Sequence, residues 1–180
     1  MKPDIETTSS RVVYQNRWMI VREDGVRRRD GSTGIYGVVE KEDYAVIAAI
    51  DGDVIHLVEQ YRYPVSGRFW ELPQGSWETN CEAELADVAR GELREEVGIE
   101  ADEIEEVGRL FQAYGYSNQS FGLYLARGLT VVDKKLDLEE QDLVSKAFKI
   151  SKVEEMIAAG TIRDATTVAA FGLLKIKGLV

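Results

Sequence analysis

The order of predicted elements points to an α/β protein: a mixed sheet with helices on both faces, preceded by a small antiparallel β meander. Three observations predict it. Short β-branched and aromatic runs, bounded by Gly, Asp or Asn, fill the first sixty residues. An acidic, helix-length segment follows, ending at Val97-Gly98, and then more strand-like runs. Two further helical segments close the chain. At 180 residues there is apolar material for a substantial core. We divide the chain into residues 1–40, the meander, and residues 41–180, the α/β unit.

Residues 1–10 are polar and expected to be mobile. Arg11–Tyr14, Trp18–Glu23, Val26–Arg29 and Gly34–Val39 read as short strands, separated by turn signals at Asn16, Asp24-Gly25 and Asp30-Gly31-Ser32. So small a meander must pack on the rest of the chain or on a second subunit. Tyr44–Ile50 and Val54–Tyr61 form a hairpin through Asp51-Gly52-Asp53. His56, the only histidine, alternates with Ile55 and Leu57 and is a strand residue with no assigned role. Leu72-Pro73-Gln74-Gly75 is a strand end running into a turn. Thr79 or Asn80 can cap the helix that follows, with Glu82 and Glu84 in its first turn, where they suit the dipole. Ala86, Ala89, Leu93 and Val97 make its apolar stripe, and Gly98 suits a left-handed stop. Glu103–Arg109 and Ser120–Arg127 are strands, flanking the polar loop Gln112–Gln119. After the charged stretch 133–142 comes the strand Leu143–Ile150. Ser151 with Glu154 reads as a capping box opening a helix that stops at Gly160. Asp164 caps a last helix over Ala165–Ile176.

The chemistry concentrates at the end of the acidic helix. Glu92, Glu95 and Glu96 stand at i, i+3 and i+4, within about 100° of arc on one α-helical face. Like charges so placed repel, and a divalent metal is the simplest compensation. Magnesium suits hard oxygen ligands, using a few carboxylates together with substrate phosphates and water; manganese is the alternative. A merely solvated acidic helix would need neither the Leu72–Gly75 turn before it nor the Gly98 stop after it.

These residues resemble the Nudix hydrolase signature: Gly, five residues, Glu, seven residues, then Arg-Glu-apolar-x-Glu-Glu-x-Gly-apolar. Gly75, Glu92, Leu93, Glu95, Glu96, Gly98 and Ile99 match in type. Two departures stand out. The Gly75-to-Gly98 span is two residues longer, which leaves the mid-box glutamate open between Glu82 and Glu84. Gly91 replaces the Arg before Glu92, with Arg90 one place earlier, and a glycine there costs about 1 kcal/mol against Ala. The segments Glu59–Pro64 and Phe69–Pro73 resemble those before the box in ADP-ribose pyrophosphatases and nucleotide-sugar diphosphatases.

The resemblance implies a Nudix-type α/β/α sandwich and hydrolysis of the diphosphate bond in a nucleoside diphosphate derivative, giving a nucleoside monophosphate and a sugar phosphate. It implies that the main-chain carbonyl of Gln74 joins Glu92, Glu95 and Glu96 at Mg2+ or Mn2+, and that Arg62 contacts substrate phosphate. A guanidinium suits that task through planar, bidentate recognition. It places a general base in the acidic loop, at Glu140, with Glu139 next and Asp142 third. It implies homodimerisation through the N-terminal meander, which also helps bind the substrate's nucleobase, with Tyr14 or Trp18 as candidate stacking residues or, equally, core or interface aromatics. The matching loop of the relatives carries acidic residues, where this chain has Ser117-Asn118-Gln119. Two other readings stay open: hydrolysis of nucleoside triphosphates or dinucleoside polyphosphates, and a non-catalytic nucleotide-binding regulator.

Composition bounds the rest. A net charge of −10 argues against a nucleic-acid surface, which leans on excess Lys and Arg. It leaves room for small phosphorylated substrates. The single Cys81 excludes an intramolecular disulfide and, with no apolar run of membrane-span length and no signal-peptide shape, fits a reducing cytoplasm.

Overall fold

Two alternating apolar faces along one strand organise the molecule. In Tyr44–Asp51 (β4), Tyr44, Val46, Ala48 and Ile50 face one cluster of buried side chains, and Ala45, Ile47 and Ala49 face another. A strand whose side chains alternate across a sheet can be buried throughout only when both faces are covered. The near-continuous run Ala45–Ile50 is that signature. The computed structural model describes residues 3–76, 84–134 and 142–180.

The N-terminal sheet comprises Ile5–Gln15 (β1), Ile20–Arg28 (β2) and Thr33–Glu40 (β3), antiparallel in the order β1-β2-β3. The larger sheet adds Val54–Arg62 (β5), Gly67–Glu71 (β6), Gln74–Gly75 (β7), Ile99–Phe111 (β8), Ser120–Val131 (β9) and Val144–Lys149 (β10). Its path runs β10-β5-β4-β9-β8, with β6 on β5 and β7 on β4. The β4–β9 pair is parallel and its other pairings are antiparallel, so the sheet is mixed.

Leu85–Glu92 (α1) and the wider π-helical turn Leu93–Val97 cover one face through Val88, Ala89, Leu93 and Val97. Ile150–Ala158 (α2) and Ala165–Ile176 (α3) cover the other through Val153, Met156, Ala170, Phe171 and Leu174. The α/β/α sandwich expected from the sequence is therefore present, with the small antiparallel sheet before it. No helix among the described residues is long and apolar enough to cross a membrane.

Several local expectations are corrected. Residues 5–10 are paired in β1 rather than free of regular structure. Asp24-Gly25 is no turn but the middle of β2, where an added Cβ on Gly25 would meet Ser9 Oγ at 2.5 Å. That glycine serves the close approach of two strands. Ser151 does not cap α2, which begins at Ile150 with Lys149 in the N-cap position. Asp164 does cap α3, its carboxylate accepting the Thr167 N–H.

Candidate active site

The glutamates sit where α1 gives way to the π-helical turn, not on one α-helical face. A turn that closes through i→i+5 bonds is wider, so it carries the i+3 residue further round the axis while i and i+4 stay neighbours. Burial follows that geometry: Glu92 is 7 % exposed and Glu96 is fully buried, whereas Glu95 is half-exposed. Gly98 ends the turn in the left-handed conformation at φ 72°.

Both buried carboxylates meet the Gln74–Gly75 strand. The Gln74 N–H donates to Glu96 Oε2 at 3.0 Å. An added Cβ at Gly75 would stand 2.5 Å from Glu92 Cδ and Oε1, so only glycine lets the strand lie against that carboxylate. β7 is in turn held on β4 opposite Ala45 and Val46. Among the described residues no three His, Cys, Asp or Glu side chains converge to hold a metal ion. The donors nevertheless fit a hard dication, which commonly takes one or two carboxylates and leaves its other positions to waters and phosphates. Glu92, Glu96 and the Gln74 carbonyl are the groups that would hold it. Lys134 lies within electrostatic reach of Glu96: burial lowers the Lys134 ammonium, and Glu96 acts to raise it.

Beside this edge lies a cleft of about 770 Å³ whose walls include Arg62, Glu71, Gln74 and Gly75. Glu71 is only 2 % exposed and would be intolerable there alone. Gln60 Nε2 donates to its Oε1 at 3.0 Å, Arg62 Nε to its Oε2 at 3.2 Å, and Arg62 Nη2 bonds Oε1 as well. Burial pushes the Glu71 carboxyl up, with Arg62 working against that push. Burial also disfavours the charged Arg62, but Glu71, helped by Glu96 and Asp164, holds it above its usual value. Tyr44 is pushed up to about 12, chiefly by burial, and its hydroxyl meets Thr166 Oγ1 at 2.9 Å. Lys41 and Arg163 add exposed cations to the cleft walls.

The structure thus brings together Glu92, Glu96, Gln74 and Arg62, and sets Glu95 at the margin. Glu139, Glu140 and the mid-box candidate Glu82 lie outside the described residues, as do Thr79 and Asn80. Glu84 is exposed at the N-cap position of α1. Asp142, the third base candidate, is bound by Arg68 Nη1 at 2.5 Å and its carbonyl by Nη2 at 2.7 Å. Arg90 does not take the place of the missing box arginine, since its Nη1 donates to the Ala101 carbonyl at 3.1 Å. Sequence reading missed Glu71, although a charged residue between Trp70 and the buried Leu72 was a signal. It also missed Lys41 and Arg163, which only the fold brings to the cleft.

Trp18 and Tyr14 lie away from this cleft's walls. Trp18 borders a second hollow of about 890 Å³, between the β1–β2 turn and α1, and the Arg17 guanidinium stacks 4.2 Å from its ring centroid.

The chain resembles known proteins along most of its length. Residues 41–171 match the NUDIX domain, and residues 5–39 match the nucleoside diphosphate sugar hydrolase N-terminal domain. An ADP-ribose pyrophosphatase from Mycobacterium tuberculosis (strain ATCC 25618 / H37Rv) is 33 % identical over 92 % of this chain and 81 % of its own. A protein named methanol dehydrogenase activator, from Bacillus methanolicus, is 26 % identical over 96 % of this chain and 93 % of its own. A solved structure titled "Crystal structure of ADP compounds hydrolase" shares the fold, with a TM-score of 0.84 at 19 % identity, covering 99 % of this chain and 98 % of that one. Nudix hydrolases generally use a divalent metal. The chain belongs to the Nudix hydrolase family, enzymes that act on nucleoside diphosphate derivatives, in the branch that includes ADP-ribose pyrophosphatases.

Proposed function

We propose that the chain hydrolyses the diphosphate bond of ADP-ribose or a nucleotide sugar, with Mg2+ as cofactor and Mn2+ able to replace it, releasing a nucleoside monophosphate and a sugar phosphate. One observation carries this reading: a protein of net charge −10 gathers Lys41, Arg62 and Arg163 around one cleft, whose wall is also the Gln74–Gly75 strand touched by Glu92 and Glu96. Cations for phosphates and carboxylates for a metal are thereby adjacent. The name of the Mycobacterium tuberculosis relative, and the N-terminal match to nucleoside diphosphate sugar hydrolases, support this substrate class.

Glu92, Glu96 and the Gln74 carbonyl, with Glu95 as third carboxylate, hold the metal. A bound dication polarises phosphoryl oxygens and offsets charge developing in the transition state. Arg62, fixed by Glu71, grips phosphate oxygens through its remaining N–H groups. Glu140, or Glu139 beside it, takes the proton from the attacking water. Residues 1–40 and 41–180 act as two units, and the first joins two copies. Val12, Val13, Tyr14, Ile35 and Tyr36 on its strands are exposed and offer apolar side chains for a second copy to cover. The lone Cys81 suits work in a reducing cytoplasm.

A panel of ADP-ribose, ADP-glucose, GDP-mannose and NADH, with and without Mg2+, tests the reading. The expected result is Mg2+-dependent release of nucleoside monophosphate from ADP-ribose or a nucleotide sugar. Turnover confined to nucleoside triphosphates or dinucleoside polyphosphates would replace this substrate class.

A further inference from the structure

The Leu72–Gly75 segment is gripped from two sides. On the metal side, Gln74 gives its N–H to Glu96. On the other side, the first turn of α3 holds it by a closed run of hydrogen bonds. Thr167 Oγ1 accepts the Leu72 N–H at 2.9 Å and donates its own proton to Asp164 Oδ2 at 2.7 Å. The same Oδ2 accepts the Thr167 N–H at 2.8 Å and the Gln74 side-chain amide at 3.4 Å. Leu72 and Thr167 are fully buried, so water does not compete for these bonds.

A helix cap needs only the bond from Thr167 N–H to Asp164. The other three do nothing for the helix end; they fix the backbone at Leu72 and the side chain at Gln74, with Pro73 between. Beyond these two grips, β4 holds the middle of the tripeptide, Ile47 N–H donating to the Pro73 carbonyl at 2.9 Å, so α3 sets the direction of the Gln74 peptide carbonyl jointly with β4. We propose that Thr167 and Asp164 are positioning residues of the metal site, aiming the Gln74 carbonyl and so tuning metal affinity from ninety residues away in sequence. The inference rests on the reading that Gln74, Glu92 and Glu96 hold the metal.

Mn2+ titration followed by electron paramagnetic resonance, with no substrate present, separates the two. Wild type should bind Mn2+ and Glu96→Gln should lose it; wild-type-like binding by Glu96→Gln would overturn the site and this inference together. Given that loss, Thr167→Val should weaken Mn2+ binding by about tenfold or more, as removal of an outer ligand-orienting group does. Thr167→Ser, which keeps the hydroxyl, should restore it. Folded Thr167→Val with wild-type affinity would overturn the inference alone. Should the valine variant not fold, Gln74→Met cuts only the side-chain tie: several-fold weaker binding supports the proposal, and unchanged binding overturns it.

Discussion

Glu71 shows what a single residue must satisfy to sit at this site. Its carboxylate is tolerable because Gln60 and Arg62 supply three hydrogen bonds. The Arg62 side chain is 41 % exposed and can rehydrate if its partner goes, so Glu71→Ala should cost about 1–3 kcal/mol, the scale of lost charged hydrogen bonds, rather than the larger penalty of a stranded buried charge. A urea midpoint measures that. Gly75→Ala should be more selective. Its methyl would displace the Glu92 carboxylate and lower kcat/KM by about 100-fold, the scale of a 1 Å misplacement, with the melting temperature little changed. Against the raised Glu71 carboxyl, which favours the folded state toward acid, His56 supplies the opposite pH dependence. Burial lowers its pKa below 6.5, so the folded state holds a neutral ring and the unfolded chain binds the proton first. Its share of the stability is therefore complete above about pH 6.5 and falls as pH drops through the lowered folded value. In melts between pH 7 and 5, His56→Gln should flatten that fall. The grouping of Glu92 with Glu96 was legible in the sequence because charge type and spacing survive without a fold, whereas Arg62 was reached only through the resemblance of Glu59–Pro64. The Arg62–Glu71 pair was not legible, because it depends on the β5–β6 register set by a left-handed Ser66.

Elements were legible where the local signal agreed with tertiary burial. β4 and β5 fall where alternation and the Asp51–Asp53 turn place them. Asp164 caps α3 as expected. Asp164→Ala should lower stability by about 1–2 kcal/mol, a fall of roughly 2–8 °C in Tm for a chain of this size, measurable by calorimetry. In β1 only Arg11–Tyr14 was legible as strand, and residues 5–10 were hidden for the opposite reason. All eleven of its residues are exposed, and Glu6–Ser10 carries no buried face to produce an alternation. The metal helix was found but its geometry was not. Apolar spacing reports one packed face, and Leu93 and Val97 stay buried whether the last turn is α or π. The wide turn accompanies a difference in burial, Glu95 staying partly exposed while Glu92 and Glu96 are buried.

At the scale of the molecule, the N-terminal sheet is wired to the cleft. Val39 N–H donates to the Tyr116 carbonyl at 2.8 Å, Tyr36 Oη to that of Gly115 at 2.8 Å, and Lys41 N–H to Asn118 Oδ1 at 3.2 Å. Loop 112–119 carries Gln112 and Gln119 onto the cleft wall. Association through the exposed sheet would thus stiffen the substrate site. If residues 1–40 join two copies as proposed, Val12→Asp combined with Ile35→Asp should shift the sedimentation coefficient from dimer to monomer; a wild type that sediments as a monomer, or a coefficient left unchanged, would contradict that role. No sequence pattern could show this wiring, since it joins residues about eighty positions apart. The central claim, that a carboxylate edge seats a dication beneath a diphosphate, is tested most directly by comparing wild type and Glu96→Gln for ADP-ribose hydrolysis in Mg2+, with nucleotide binding measured alongside. The predicted result is AMP and ribose 5-phosphate from wild type, and turnover lower by about 100-fold or more in the variant, the scale of a lost transition-state charge contact, with binding retained. Wild-type turnover by Glu96→Gln would contradict it.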